Sequence, residues 1–171
     1  DINVVMHDEP INSKNALEII NKYDVVINGA DNFPTRYLIC DSTFFAKKPL
    51  IDGSVLTFDG QITTYVPGGN CYRCIFPDPP PPGSVPSCSE AGVIGALPGL
   101  IGSIQAIETI KYILGDGDLL KGRMILIDAL SMEFRTVKIR RNEDCVLCGN
   151  NPSVKELIDY ELFCGMPSAE E

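Results

Sequence analysis

Apolar and polar positions change rhythm partway along the chain. In the first third, short β-branched apolar runs alternate with helical spacing. "INVVMH" at residues 2–7 predicts a short buried strand. "NSKNALEIINKY" predicts a helix capped by Asn12 or Ser13, with Ala16, Leu17 and Ile20 on one face. "DVVING" predicts a second buried strand that ends at "ADN". Pro34 suits the first turn of a helix running to about Lys47, and Pro49 stops it. "PLIDGSVL" predicts a further strand. The order strand–helix–strand–helix–strand argues for a parallel sheet.

The pattern then turns antiparallel. "SVLTFDGQITTYV" holds two β-type runs around Asp59-Gly60, a hairpin signal. Residues 77–86 are proline-rich and predict a loop without a core of its own. In "LPGLIGSIQAIETIKYILG" the apolar residues Leu97, Leu100, Ile101, Ile104, Ile107, Ile110 and Leu114 keep helical spacing up to Gly115. "RMILIDA" and "FRTVKIR" predict two late strands. "PSVKELIDYELF" carries a capping-box spacing, Ser153 to Glu156, and predicts a short helix. No internal repeat is visible.

Composition narrows the classes. The 171 residues are 44% hydrophobic and 22% charged, so the chain can bury a core and reads as one globular domain. Net charge is −9 and the basic residues cluster only at Arg140–Arg141, which argues against nucleic-acid binding. No apolar run reaches membrane-spanning length, and the first residues lack the basic and apolar regions of a signal peptide. The expected location is the cytoplasm.

Seven cysteines then matter, because in that compartment they read as metal ligands or reactive thiols rather than disulfides. Cys71-x-x-Cys74 and Cys145-x-x-Cys148 supply the four thiolates of a closed tetrahedral zinc site, which would tie the end of the domain to its middle. A redox pair is the competing reading, but neither pair starts a helix after a strand. Cys88 stands apart. Ser87 and Glu90 have capping-box spacing, so Cys88 falls in a first helical turn, where unpaired N–H groups favour a thiolate. A mobile loop delivering an activated thiol suits acyl or sulfur transfer. The negative charge of Glu90 and a glycine-rich helix start count against activation, and a leftover surface cysteine stays open. Cys40 is expected in the core, Cys164 has no assigned role, and the single histidine, His7, is expected to be solvated or packed rather than a ligand.

Asp31 follows the carboxyl end of a predicted parallel strand, where ligands of open α/β sheets bind. It could hold Mg²⁺ on a nucleotide. Asn32 could cap the next helix or bond a ligand, and Arg36 could pair with Asp31 or with phosphate. Helix capping alone also accounts for Asp31 and Asn32.

Taken together, "YDVVINGADNFPTRYLICD", "DGQITTY", "CYRCIFPDPPP", "SCSEAGVIGALPGLIGSIQAIETIKYILG" and "CVLCG" resemble the ThiF/MoeB/HesA family, bacterial relatives of ubiquitin-activating enzymes. The likeness runs from about Asn3 to Gly149, most of all to the branch that activates sulfur carriers. It implies an α/β fold, the C-terminal part of a Rossmann-like ubiquitin-activating-type fold, with parallel strands followed by antiparallel hairpins and a four-cysteine zinc site. It implies a partial activating domain over 1–149 and a tail or linker over 150–171. It implies ATP·Mg²⁺-dependent adenylation of the C-terminal Gly-Gly of a ubiquitin-like sulfur-carrier protein, with release of pyrophosphate. The acyl-adenylate is then converted to a thiocarboxylate with sulfur from a persulfide donor, in molybdopterin- or thiamin-type biosynthesis. By position, the resemblance makes Asp31 the Mg²⁺/ATP-site aspartate and Arg36 its support. Cys71, Cys74, Cys145 and Cys148 become structural zinc ligands, and Cys88 the cysteine that forms acyl-linked intermediates.

The chain departs from the family at its start. The Gly-rich strand–loop–helix, the acidic ribose ligand and the phosphate-binding Arg and Lys do not appear, and "GDGD" at residues 115–118 follows a helix rather than a strand. The expectation is a C-terminal portion lacking the Gly-rich half, inactive alone. Its exposed sheet edge and apolar surface would be covered by that half or by a second copy in a homodimer. Two other readings compete: a non-catalytic zinc-stabilised module that docks a small carrier, and a nucleotide-dependent oxidoreductase, which the missing dinucleotide fingerprint disfavours.

Overall fold

The computed structural model describes residues 2–165. Five strands form one sheet in the order β1 (Val26–Asn28), β2 (Leu50–Leu56), β3 (Asp59–Tyr65), β4 (Arg123–Asp128), β5 (Glu133–Lys138). Only β1 and β2 are parallel, Val26 opposite Leu50, and the remaining neighbours are antiparallel. The expected switch from parallel to antiparallel pairing is therefore present.

Strand alternation sorts the two faces. Leu50 and Tyr65 point to one side, into a core with Tyr37, Leu38 and Cys40 of α2 (Phe33–Phe45), Ala16 of α1 (Ala16–Asn21) and Tyr160 of α5 (Tyr160–Phe163). Ile62 points to the other, against Leu97 and Ile101 of α4 (Ala96–Leu114), with Leu120 and Ile127. Cys40 is buried as expected. The short α3 (Cys88–Ala91) precedes α4, which is closed by Gly115 in the left-handed region, φ +66°. No described helix is long and apolar enough to cross a membrane.

Several elements differ from the sequence reading. Residues 2–7 form no strand, and Ile2, Val4, Val5 and Met6 are exposed. A strand exists only through its ladder, and this apolar run has no pairing partner among the described residues. The hairpin turn lies at Thr57–Phe58, because Leu56 pairs with Asp59, so Asp59-Gly60 opens β3 instead. Gly60 serves packing there: a Cβ would lie 3.0 Å from Ile101 Cδ1. The tail helix begins after Asp159, whose carboxylate accepts from the Leu162 N–H at 2.9 Å, and Ser153 caps nothing regular. On α4 the apolar stripe does not all face inward. Gln105 and Glu108 are buried, whereas Ile107, Ile110, Ile113 and Leu114 are exposed. The polar pair goes inward because loose backbone groups wait there. Gln105 donates to the Asn28 and Ile51 carbonyls at 2.8 and 3.1 Å. Glu108 accepts from the Leu120 N–H and the Thr64 hydroxyl, both at 2.7 Å.

A buried ion pair joins the middle of the chain to its end. Arg73 and Asp41 are 1% and 0% exposed, with Arg73 Nη2 2.9 Å from Asp41 Oδ2. The Tyr160 hydroxyl donates to the same oxygen at 2.8 Å, and the guanidinium lies over the rings of Tyr37 and Phe163. Asp41→Ala would leave Arg73 charged and unpaired in the core and is expected to cost about 3–5 kcal/mol in urea unfolding. A loss under about 1 kcal/mol would show that the pair is not desolvated. At Gly53 an added Cβ would meet Ile101 Cγ2 at 2.6 Å and Gln105 Cδ at 2.8 Å. Gly53→Ala is expected to destabilise by about 2 kcal/mol in the same assay, since a β-branched neighbour and a twice-bonded amide cannot yield freely.

Candidate functional site

Beyond the carboxyl ends of β1 and β2 opens a cleft of about 570 Å³. Asp31, Asn32, Arg36 and Cys88 all line it. Asp31 and Asn32 lie in the β1–α2 connection, and Arg36 lies in the first turn of α2. Asn32 caps α2: its Oδ1 accepts from the Thr35 N–H at 2.9 Å, and Pro34 follows in the first turn. Asp31 is left exposed at the mouth, its nearest side-chain partner the Asn32 amide at 3.5 Å.

Arg36 does not pair with Asp31. Its Nη1 donates to Asp52 Oδ1 and Oδ2 at 2.9 and 3.2 Å, and its Nη2 to the Ala30 carbonyl at 2.7 Å. Asn28 completes the network: its amide donates to Asp52 Oδ1 at 2.7 Å, and its Oδ1 accepts from the Ala30 N–H at 2.9 Å. Burial raises the Asp52 pKa, and the Arg36 charge and the Asn28 hydrogen bond oppose that rise. The loop that presents Asp31 is thus held from below by a buried carboxylate. Asn28, Asp52 and Gln105 were missed in the sequence. The available signal was an ionisable side chain inside the otherwise apolar strand "PLIDGSVL".

Cys88 lines the cleft from α3. Ser87 and Glu90 form the expected capping box, with the Ser87 N–H donating to Glu90 Oε2 at 2.7 Å. The same contacts hold the Glu90 carboxyl below its ordinary value. The Cys88 thiol is half-buried and 3.7 Å from the Val55 carbonyl. After α3 the chain is pinned rather than loose: the Thr57 N–H donates to Gly92 O and the Ile94 N–H to Thr57 O, both at 3.2 Å. Asp59, Asp128, Glu133 and Arg135 also line the cleft.

The four remaining predicted ligands come together away from the cleft. The sulfurs of Cys71, Cys74, Cys145 and Cys148 all lie within 4.8 Å of one another, and they could hold a metal ion. Contacts of 3.8 Å (Cys71–Cys74), 3.5 Å (Cys71–Cys145) and 3.3 Å (Cys74–Cys148) approach the ~3.8 Å edge of a tetrahedron with ~2.3 Å metal–sulfur bonds. Backbone N–H groups of Cys71 and Asn142 point at Cys74 Sγ, at 3.5 and 3.4 Å, as donors that would stabilise a thiolate. Burial and the neighbouring sulfurs push Cys71 far up and Cys148 up to about 11. The knuckle at residues 72–74 also carries Arg73, so the sulfur cluster and the buried ion pair share one turn. His7 is exposed and lies outside both sites.

Comparison with known proteins bears on the family and the fold. The chain is 50% identical over 162 residues to a sulfur carrier protein adenylyltransferase of Thermus thermophilus, covering 91% of this chain and 60% of that protein. It is 47% identical over 172 residues to the adenylyltransferase and sulfurtransferase MOCS3 of Aedes aegypti, covering 99% of this chain and 39% of that one. It therefore spans three-fifths or less of these relatives. Among solved structures, E. coli MccB with MccA-N7isoASN superposes with a TM-score of 0.70 at 20% identity, over 83% of this chain and 45% of that one. MccB with ATP superposes with a TM-score of 0.67, also at 20% identity and covering the same shares. At that identity the likeness speaks for the fold. The ThiF family model matches residues 1–147. With the parallel-to-antiparallel sheet and the paired Cys-x-x-Cys knuckles already in place, that match is decisive: the chain belongs to the ThiF family.

Proposed function

We propose that this chain is part of an enzyme that adenylates the C-terminal Gly-Gly of a ubiquitin-like sulfur-carrier protein with ATP and Mg²⁺. The observation that carries the reading is the convergence of Asp31 and Cys88, 57 positions apart in the sequence, on one cleft at the carboxyl end of β1 and β2. The relatives named for sulfur-carrier adenylylation support the substrate class.

Magnesium, when bound, would neutralise phosphate charge as the carboxylate oxygen attacks the α-phosphorus and pyrophosphate leaves. Asp31 offers it an exposed carboxylate on a loop held by Asp52 and Arg36. Asn32 and Arg36 line the cleft beside Asp31, and their own hydrogen bonds fix them. In this reading the Cys88 thiolate attacks the activated acyl carbon, forming a C–S bond as the bond to AMP breaks, and the terminal sulfur of a persulfide donor then takes the acyl group and releases the Cys88 thiol. The lining holds the carboxylates of Asp31, Asp59, Asp128 and Glu133 against the guanidinium groups of Arg36 and Arg135, with Arg36 already engaged by Asp52. In this reading Arg135 meets phosphate together with cations from the rest of the enzyme or from a second copy in a homodimer.

The sulfur cluster is proposed as a structural zinc site, since four converging thiolates leave no open position for substrate. Loss of zinc would free the segment carrying Cys145 and Cys148 from the turn beside Arg73.

ATP–pyrophosphate exchange with a Gly-Gly-ended carrier should be absent for the chain alone and restored on adding the N-terminal half. Asp31→Ala should then lower the restored exchange by about 100-fold or more. Exchange by the chain alone would refute the division of the site. Carrier binding with no exchange in either case would favour a docking module. Metal analysis should find one zinc per chain. Its removal with a chelator should lower Tm by about 10 °C or more, given a shift of about 2–4 °C per kcal/mol. An unchanged Tm in the metal-stripped chain would exclude the structural role.

A further inference from the structure

A second cavity, of about 430 Å³, is walled by the end of α2, the Pro67–Gly68–Gly69 turn and two of the clustered cysteines, Cys71 and Cys148. Lys47, Lys48 and Arg141 line it as well, and no described carboxylate does. The chain carries a net charge of −9, so a wall with three cations and no acid runs against its average. Arg141 is held there, because its Nη2 donates to the Cys148 carbonyl. Lys47 follows α2 in the left-handed region, φ +53°, where glycine is the favoured residue. Glycine there would bring no charge to the cavity. Glu143 and Asp144 precede Cys145 in the sequence, but both are exposed and neither lines the cavity.

We propose that Lys47, Lys48 and Arg141 are the counter-charge of the four-sulfur metal site and set how tightly it holds its ion. The inference rests on the zinc reading given above. Four thiolates around one divalent ion leave two negative charges in excess. Cys71, Cys145 and Cys148 are 6%, 2% and 7% exposed, so water reaches little of that charge. Buried excess charge is stable only beside charge of the opposite sign. The backbone N–H groups of Cys71 and Asn142 aimed at Cys74 Sγ are dipoles and bring no net charge. The three side chains bring whole charges, on the wall that Cys71 and Cys148 share with them. They bind no metal themselves. They act through the sulfurs, favouring the deprotonated, metal-bound set over four neutral thiols. Cations just beyond a helix C-terminus also suit its dipole, but that effect would stabilise α2 without changing metal affinity.

The test is competition for zinc between the full chain and a chromophoric chelator, in sodium nitrate. Lys47→Met, Lys48→Met and Arg141→Met combined should weaken zinc binding at least about fivefold at low salt. Lys47→Arg with Lys48→Arg, which keeps the charge, should stay within about twofold of wild type. The ratio of wild-type to triple-variant affinity should fall toward one between about 0.01 M and about 1 M salt, where the screening length shrinks tenfold. Lys47 is exposed and Lys48 half-buried, so the double variant Lys47→Met with Lys48→Met serves if the triple variant does not fold. Zinc bound by the wild-type chain with equal affinity in the charge-removing variants would overturn this inference alone. A ratio that does not respond to salt would also overturn it, by assigning the loss to packing. A lower Tm of the loaded variant with unchanged zinc affinity would assign the lysines to the end of α2 instead. No zinc bound by the wild-type chain would overturn the zinc reading together with this one.

Discussion

The Asp52 carboxylate is the constraint on which the cleft depends. It is 2% exposed, and it holds Arg36 of α2 and Asn28 of β1, while Arg36 and Asn28 in turn bond the two sides of Ala30. Gln105 reaches in from α4 to the carbonyls of Asn28 and Ile51. Four elements therefore meet in one set of directed hydrogen bonds where the sheet leaves its strand ends unpaired. A buried charge is stable only when its partners are in place, so the arrangement has one geometry. The loop that carries Asp31 inherits that geometry while leaving the Asp31 carboxylate exposed.

The second buried pair plays the same role elsewhere. Arg73 lies inside the first Cys-x-x-Cys, so any ion gathered by the four sulfurs would fix the guanidinium as well. Asp41 and Tyr160 complete it, which brings the segment beyond residue 147, where the family match ends, into the main core. The sulfur cluster, the ion pair and the aromatic stacking are thus coupled through a single turn. The outer face of α4 contrasts with this: Ile107, Ile110, Ile113 and Leu114 stay exposed, because the sheet takes its polar edge at Gln105 and Glu108 instead.

Whatever depends on local periodicity and spacing could be read along the chain. The parallel pair, the later antiparallel strands, α2 with its Asn32 cap and the long α4 with its Gly115 stop were all legible, because strand alternation, proline placement and glycine caps act within a few residues. The four-sulfur cluster was legible because a two-residue spacer aims both sulfurs of each pair at one point. The rest waited on long-range contacts. An apolar run such as residues 2–7 carries strand propensity but no information about a partner. The Asp59-Gly60 signal yielded to the register of β2 and β3, and Gly60 answered to helix packing. Arg36 chose Asp52 over Asp31, and α4 turned Gln105 and Glu108 inward, because buried polar groups follow the unpaired backbone atoms of distant segments. Spacing along one chain segment cannot report those atoms, since folding alone brings them within reach.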